Sequence, residues 1–213
     1  MIQYQMFALV GPSGSGKTTI ARKLIEEYPQ YFDFSISHTS RQRGVQEVHK
    51  KDYFFVGEKK FKKMMQEDGA FLEWECVYGN DMYGTSMSEI KRIYASGKCP
   101  LLDIDVKGAR RIMDHGPRIF SEHHGLKGEL QFTPIFIDVP DRDEIERRIR
   151  DRKRGESEEK IQQRLNRYDM EQREKKHFSH IVLNHDLDEC YQHVNRIVGE
   201  VLGLSAVNTQ SSF

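Results

Sequence analysis

Gly11-Pro12-Ser13-Gly14-Ser15-Gly16-Lys17-Thr18 is the stretch on which the fold turns. It matches G-x-x-x-x-G-K-[ST] in full, the pattern of a phosphate-binding loop. Glycines let backbone N–H groups curl around a phosphate with no Cβ in the way, and the helix that follows adds its positive amino end. Lys17 is spaced to reach the β- and γ-phosphates of a nucleoside triphosphate, and the Thr18 hydroxyl to ligate Mg²⁺. The flanks agree. An apolar run, Met6-Phe7-Ala8-Leu9-Val10, precedes the loop, and a helical pattern from Thr18 to Glu27 follows it. A glycine turn that merely joined strand to helix would give Lys17 and Thr18 no reason to stand where they do. Gly11, Ser13, Gly14, Ser15, Gly16, Lys17, Thr18 and the adjacent Thr19 are therefore the candidate ATP contacts.

Three more apolar runs resemble buried strands: Pro100 to Ile104, Pro134 to Ile137 and His180 to Leu183. Continuous apolar character without alternation suits a parallel sheet covered on both faces. Helical patterns separate the runs, at Ser86 to Ser96, Val106 to Asp114, Asp141 to Arg152 and Asp188 to Leu202. This alternation predicts an α/β domain of three layers, a P-loop NTPase-type parallel sheet between helices. Two segments break the rhythm. Residues 34–97 begin with an aromatic, glycine-rich part whose strand-like pieces are Phe34 to Ser37, Tyr53 to Val56 and Phe71 to Trp74, which predicts a small mixed β insert. Residues 141–176 are dense in Arg, Lys and Glu and predict two helices joined near Gly155, a helical lid. The expected division is one domain over 1–204, with a core of 1–33, 98–140 and 177–204, and a frayed polar tail over 205–213. Gly116 to Gln131 carries turn formers and reads as a loop.

Composition narrows the function. Lys+Arg and Asp+Glu both number 33 in 213 residues, and a nucleic-acid binder usually shows a basic excess, so no nucleic acid polymer is expected as partner. No apolar run approaches the roughly 20 residues that cross a bilayer, so no membrane is expected. Cys76, Cys99 and Cys190 are odd in number and far apart, which fits a reducing cytoplasm better than a disulfide framework. His123-His124 is a lone pair without zinc spacing.

Four stretches bear on what accepts the phosphate. Arg41 and Arg43 lie in Ser37-His38-Thr39-Ser40-Arg41-Gln42-Arg43-Gly44-Val45-Gln46-Glu47, ahead of Lys51-Asp52-Tyr53-Phe54. Phe71-Leu72-Glu73-Trp74-Glu75 is followed by Tyr83-Gly84-Thr85. In Leu101-Leu102-Asp103-Ile104-Asp105-Val106-Lys107-Gly108, a buried strand ends in two acids that leave on one face, at the edge where open parallel sheets bind ligands. Arg148 and Arg152 are one helical turn apart, and Arg164 lies on the next helix. With the phosphate loop, these stretches resemble the guanylate kinase family, from the loop as far as Leu187.

The resemblance implies transfer of the γ-phosphoryl group of MgATP to GMP or dGMP, on a monomer or homodimer. Arg41 and Tyr53 would hold the GMP phosphate, with Arg43, Glu47 and Tyr83 beside them; a dianionic phosphate favours the forked donors of arginine. The family's R-x-P-R-x-G-E is R-Q-R-G-V-Q-E here, so the second arginine comes one place early, as Arg43. Glu73 would read the base: guanine presents N1–H and the N2 amino group side by side, and one carboxylate can accept from both. Ser37 and Thr85 would donate to O6. The family's glutamate-to-tyrosine spacing is one residue shorter, so the Gly79–Met82 loop is expected to be extended. Asp103 and Asp105 would lie beside the metal and the guanine; one division puts Asp103 closer to Mg²⁺ or its waters and Asp105 closer to the base, and the sequence leaves open which acid does which. Lys17, Arg41, Arg148, Arg152 and Arg164 would carry the catalytic charge, and Asn184 would lie near the adenine of ATP. Each set has a plainer reading. The arginines of 141–176 suit a solvated helix, Asp103 and Asp105 suit helix caps, Glu73 suits an edge strand, and the 41–47 loop suits a solvated basic turn. Other functions that fit the residues are another P-loop small-molecule kinase, acting on a different monophosphate or a phosphorylated ribose, and a non-catalytic protein-binding module.

Overall fold

In the computed structural model, which describes residues 2–78, 80–123, 128–151 and 157–204, the first strand, β1 (Ile2–Val10), alternates between two cores. Met6, Ala8 and Val10 point to one side and Phe7 and Leu9 to the other. The chain then runs through α1 (Lys17–Glu27), β2 (Phe32–Phe34), β3 (His38–Thr39), β4 (Phe54–Phe55), α2 (Glu58–Gln66), β5 (Phe71–Tyr78), β6 (Asp81–Ser86) and α3 (Met87–Ala95). After these come β7 (Cys99–Ile104), α4 (Val106–His123), β8 (Gly128–Asp138), α5 (Arg142–Asp151), α6 (Glu158–Glu174), a 3₁₀ turn (Lys175–His177), β9 (His180–Leu183) and α7 (Leu187–Leu202). No helix among the described residues is long and apolar enough to cross a membrane.

Five strands form a parallel sheet in the order β2-β7-β1-β8-β9. On one face Val10, Leu102 and Ile104 pack on Met87 and Ile90 of α3 and on Val106, Ala109 and Ile112 of α4. On the other, Leu9, Leu101, Ile137 and Val182 pack on Ile20 and Leu24 of α1 and on Val194 and Val198 of α7. These are the three layers expected, and β1 in the middle delivers the phosphate loop to the carboxyl edge of the sheet. A second, mixed sheet in the order β4-β3-β6-β5 is covered by Phe61 of α2, which stacks on Phe71 at 4.8 Å. Helices α5 and α6 share a small core of Ile145, Ile149, Ile161 and Leu165.

Two expectations differ from what the chain does. The described part of Gly116 to Gln131 is not a loop: α4 continues to His123 and β8 starts at Gly128, and residues 124–127 lie outside the described residues. Pro117 costs the helix about 3 kcal/mol and Gly116 about 1. Val106, Ala109, Ile112, Gly116 and Phe120 nevertheless form one buried stripe, and the ring of Phe120 packs on Tyr4 at 5.1 Å and Tyr94 at 5.9 Å. Burying Phe120 returns about 3 kcal/mol and each aromatic pair about 1, so the stripe outweighs the turn formers. Phe34 belongs to the central sheet rather than to the insert, because β2 is only three residues long and leaves no periodic trace. Helix α2, mostly Lys and Glu around a single buried Phe61, also leaves none. His123 closes α4, whereas His124, the Gly155 joint and the 205–213 tail lie outside the described residues.

Candidate active site

The loop between β1 and α1 is shaped by three glycines at positive φ: Gly11 at 131°, Gly14 at 102° and Gly16 at 98°. At Gly11 the reason is also one of space, since a Cβ would lie 2.5 Å from the carbonyl oxygen of Ile137 on β8. Lys17 arches over the loop and its Nζ donates to the carbonyls of Gly11 (2.7 Å) and Pro12 (2.8 Å). Ser15 is fully buried and its Oγ has no hydrogen-bond partner, while Thr18 and Thr19 are exposed at the start of α1. Asn184, at the end of β9, is 3 % exposed. Its Nδ2 donates to the Ser15 carbonyl at 2.7 Å, so it braces the loop from beneath.

The two acids at the end of β7 part company. Asp103 accepts from Thr18 Oγ1 at 2.6 Å, placing two hard oxygen donors side by side, as a Mg²⁺ site shared with substrate phosphates requires. Among the described residues no group of three or more His, Cys, Asp or Glu side chains could hold a metal unaided. Asp105 caps α4, where its Oδ1 accepts from the Gly108 N–H at 2.8 Å. Its Oδ2 accepts from Arg167 Nη2 at 2.8 Å.

Glu73, on β5, is buried with 7 % exposure. Its Oε1 accepts from both the N–H (2.9 Å) and the hydroxyl (2.6 Å) of Thr85, the residue opposite it on β6. Its Oε2 lies over α4, where a Cβ on Gly108 would be 2.7 Å away. Burial pushes the Glu73 carboxyl up to about 7; the Thr85 hydroxyl and N–H oppose that rise, the Asp105 charge adds to it, and Arg111 opposes it. The strand that carries Glu73 is bulged. Its register against β6 shifts between Phe71 and Glu73 and again between Cys76 and Tyr78.

A second cluster surrounds Arg41. Its Nη1 and Nη2 form a forked ion pair with Glu47, both bonds 2.6 Å, and its Nε donates to the Tyr83 hydroxyl at 3.0 Å. The guanidinium also lies 5.0 Å from the centre of the Tyr53 ring and 5.2 Å from that of Phe55. The Glu47 pair raises the Arg41 pKa, so the cluster has a permanent cation. Tyr53 and Tyr83 are both raised, mainly by burial, and stay neutral hydroxyls. Half-buried Ser37 precedes β3 and its carbonyl accepts from the Phe54 N–H at 2.9 Å. Arg43 is exposed and shares no hydrogen bond or ion pair with this cluster.

The helices over the sheet edge contribute unequally. Arg164 of α6 donates through Nη1 to Ser13 Oγ of the phosphate loop. Arg148 of α5 is held by Glu144 at 2.5 Å and donates to the Asn184 carbonyl at 2.9 Å. Arg152 lies outside the described residues. Arg147 and Arg150 pair with acids on the solvent face. Residue-by-residue reading missed two members. Arg167 follows Arg164 on the same face of α6, and Glu171 follows Arg167 by one turn. Their only sequence signal was the i,i+3,i+7 spacing behind Arg164, which any amphipathic helix shares.

Comparison with known proteins comes to one answer. A family model for guanylate kinase matches residues 3–201. The guanylate kinase of Chlamydia felis is 36% identical over 188 residues, covering 88% of this chain and 84% of that one. Guanylate kinase 1 of Arabidopsis thaliana is 37% identical over 201 residues, 93% of this chain and 48% of the plant protein. The crystal structure of guanylate kinase from Anaplasma phagocytophilum superposes with a TM-score of 0.67 at 23% identity, over 95% of this chain and 88% of that one, which speaks for the fold.

Proposed function

Since the chain belongs to the guanylate kinase family, ATP-dependent nucleoside monophosphate kinases, we propose that the two clusters are its donor and acceptor sites, MgATP on the phosphate loop and GMP between Arg41 and Glu73. The observation that carries the acceptor half is the buried carboxylate of Glu73. Thr85 occupies Oε1, and Oε2 lies over Gly108, beside the acid that caps α4, where it accepts no hydrogen bond from the described residues. A purine edge with two adjacent donors satisfies such a group, whereas adenine's bare N1 would face it with a lone pair. The wrong base leaves a buried charge unpaired, which can cost a factor of about 10⁴ or more in discrimination.

The reaction is an in-line displacement. A phosphate oxygen of GMP attacks the γ-phosphorus of ATP, the bond to the β-phosphate oxygen breaks, and GDP and ADP leave. The acceptor is already an anion, so no side chain has to remove a proton. Loop N–H groups and Lys17 hold the triphosphate, Arg164 sits at the loop's rim beside Ser13, and Arg41 with the Tyr53 and Tyr83 hydroxyls holds the attacking phosphate. Thr18 and Asp103 would hold Mg²⁺, which would supply charge neutralisation for the triphosphate. Water must be excluded, and we assign that to closure of the 34–97 insert and the 141–176 lid on a core of 1–33, 98–140 and 177–204. Arg43 is exposed and is assigned no contact in this scheme; Arg41, oriented by Glu47, is the arginine that meets the phosphate. The three cysteines, odd in number and far apart in the sequence, suit a reducing cytoplasm, with a monomer or homodimer acting on small molecules alone.

A coupled ADP-release assay across GMP, dGMP, AMP, UMP and ribose phosphates tests the assignment. Turnover should be confined to guanine nucleotides. Equal rates with AMP would remove Glu73 as the base reader.

A further inference from the structure

The polar contacts of α6 continue past Ser13. Arg167, one turn beyond Arg164, is a half-hidden side chain with 14 % exposure that touches two other parts of the molecule at once. Its Nη1 donates to the Val77 carbonyl at 2.7 Å, on the strand that carries Glu73. Its Nη2 donates to Asp105 Oδ2 at 2.8 Å. The other oxygen of Asp105 accepts from the N–H of Gly108, the residue whose missing side chain makes room for Glu73 Oε2. Glu171, 3 % exposed and 3.6 Å from Nη2, faces the same guanidinium from the next turn. The charge of Lys17 also acts on Glu171, so the chain of interactions runs from the phosphate loop to the base pocket.

We propose that Arg167 is a positioning residue that assembles the two nucleotide sites together: by bonding Asp105 and Val77 it docks the helix that carries Arg164 onto the end of α4 and the Glu73 strand. The inference rests on the reading of Glu73 and Arg164 given above. Its physical content is the planar fork of arginine, whose two terminal nitrogens stand apart in a fixed plane and meet a carboxylate and a carbonyl separately; a lysine gathers its donors on one nitrogen and lacks that fixed spacing. When a triphosphate holds Arg164 against the loop, α6 is fixed, and with it the geometry that the guanine needs. The coupling is reciprocal, so GMP favours the same placement of α6. Contiguous bonds are not by themselves proof of coupling, so the test measures coupling directly.

GMP affinity is measured by calorimetry with and without Mg²⁺ and the β,γ-imido analogue of ATP, in the wild type, Arg167→Met and Arg167→Lys. In the wild type the analogue should tighten GMP binding by about tenfold. Arg167→Met should bring that factor close to one and raise KM for GMP by about tenfold, with kcat changed by less than about twofold. Should Arg167→Met fail to fold, Arg167→Lys carries the test: it keeps a cation beside Asp105 and Glu171 but replaces the two spaced nitrogens of the fork by one, so part of the coupling is lost while Tm is retained. A variant that keeps the wild-type coupling factor, whatever its stability, overturns the proposal, as does a wild type that binds GMP with no coupling. A wild type that fails to phosphorylate GMP at all marks a different failure, that of the acceptor assignment itself.

Discussion

The phosphate loop and the acceptor pocket solve the same problem, holding an anionic nucleotide, with opposite materials. The loop is local and made of backbone. Eight consecutive residues set its shape, three glycines at positive φ supply it, and Lys17 spends its donors on carbonyls five and six residues away. The pocket is made of residues gathered from β5, β6, α4 and the loop between β3 and β4, with a carboxylate kept out of water by Thr85 and Gly108 and an arginine shared by Glu47 and Tyr83. Backbone dipoles stand ready without titrating. A buried charge must be held in its ionised form against desolvation. The loop can therefore be read from a motif and fails through loss of charge or of shape, whereas the pocket fails through loss of a partner and responds to pH.

The largest effect should come from the loop. Lys17→Ala is expected to lower kcat by about 10³ or more while calorimetry still registers GMP, because the acceptor pocket contains none of its atoms. Comparable loss of GMP binding would erase the distinction between the two regions. Next is Glu73→Gln, which puts an amide where two guanine donors point. KM for GMP should rise by about 10² with KM for ATP unchanged, since each hydrogen bond to a charged group is worth about 1.5–3 kcal/mol. Steady-state kinetics with each substrate varied in turn separates the two constants. Asn184→Ala removes the brace under the Ser15 carbonyl. Its buried amide bond predicts ATP weakened by about tenfold with GMP unaffected, and the opposite pattern would place Asn184 in the other region.

The smallest and most diagnostic effect is with pH. Glu73 and Glu171 are both pushed up to about 7, in each case chiefly by burial. Between the ordinary carboxylate value and about 7 the folded chain binds more protons than the unfolded one. Stability therefore falls as pH rises through that window and is constant above it. Glu144 and Glu158, held down to about 2 by arginines, contribute to the slope only below the ordinary carboxylate value and so lie outside this window. Activity should run the other way, since guanine needs the ionised carboxylate: kcat/KM for GMP should decline below pH 7. Denaturant midpoints and GMP kinetics from pH 5.5 to 8 give both curves; in Glu73→Gln the activity curve should flatten and the stability curve should keep only the share that Glu171 contributes. Parallel rather than opposed curves in the wild type would mean that Glu73 is ionised well below 7.

The motif at Gly11–Thr18, the apolar runs and the helical spacings determined the parallel sheet, the helices around it and the phosphate loop at its edge. Those features follow from local geometry, where a few neighbouring residues suffice. Only the tertiary structure decided that α4 runs through Gly116 and Pro117, because the reward is the burial of Phe120 against Tyr4 and Tyr94, far away in sequence. It also decided that Arg41 pairs with Glu47 while Arg43 is left exposed, and that Asp103 meets Thr18 while Asp105 meets Arg167. In each of these the partner is a charge or a ring whose distance and dielectric no local pattern encodes. Burial sets whether such a group is paired, shifted or solvated, and burial is a property of the assembled chain.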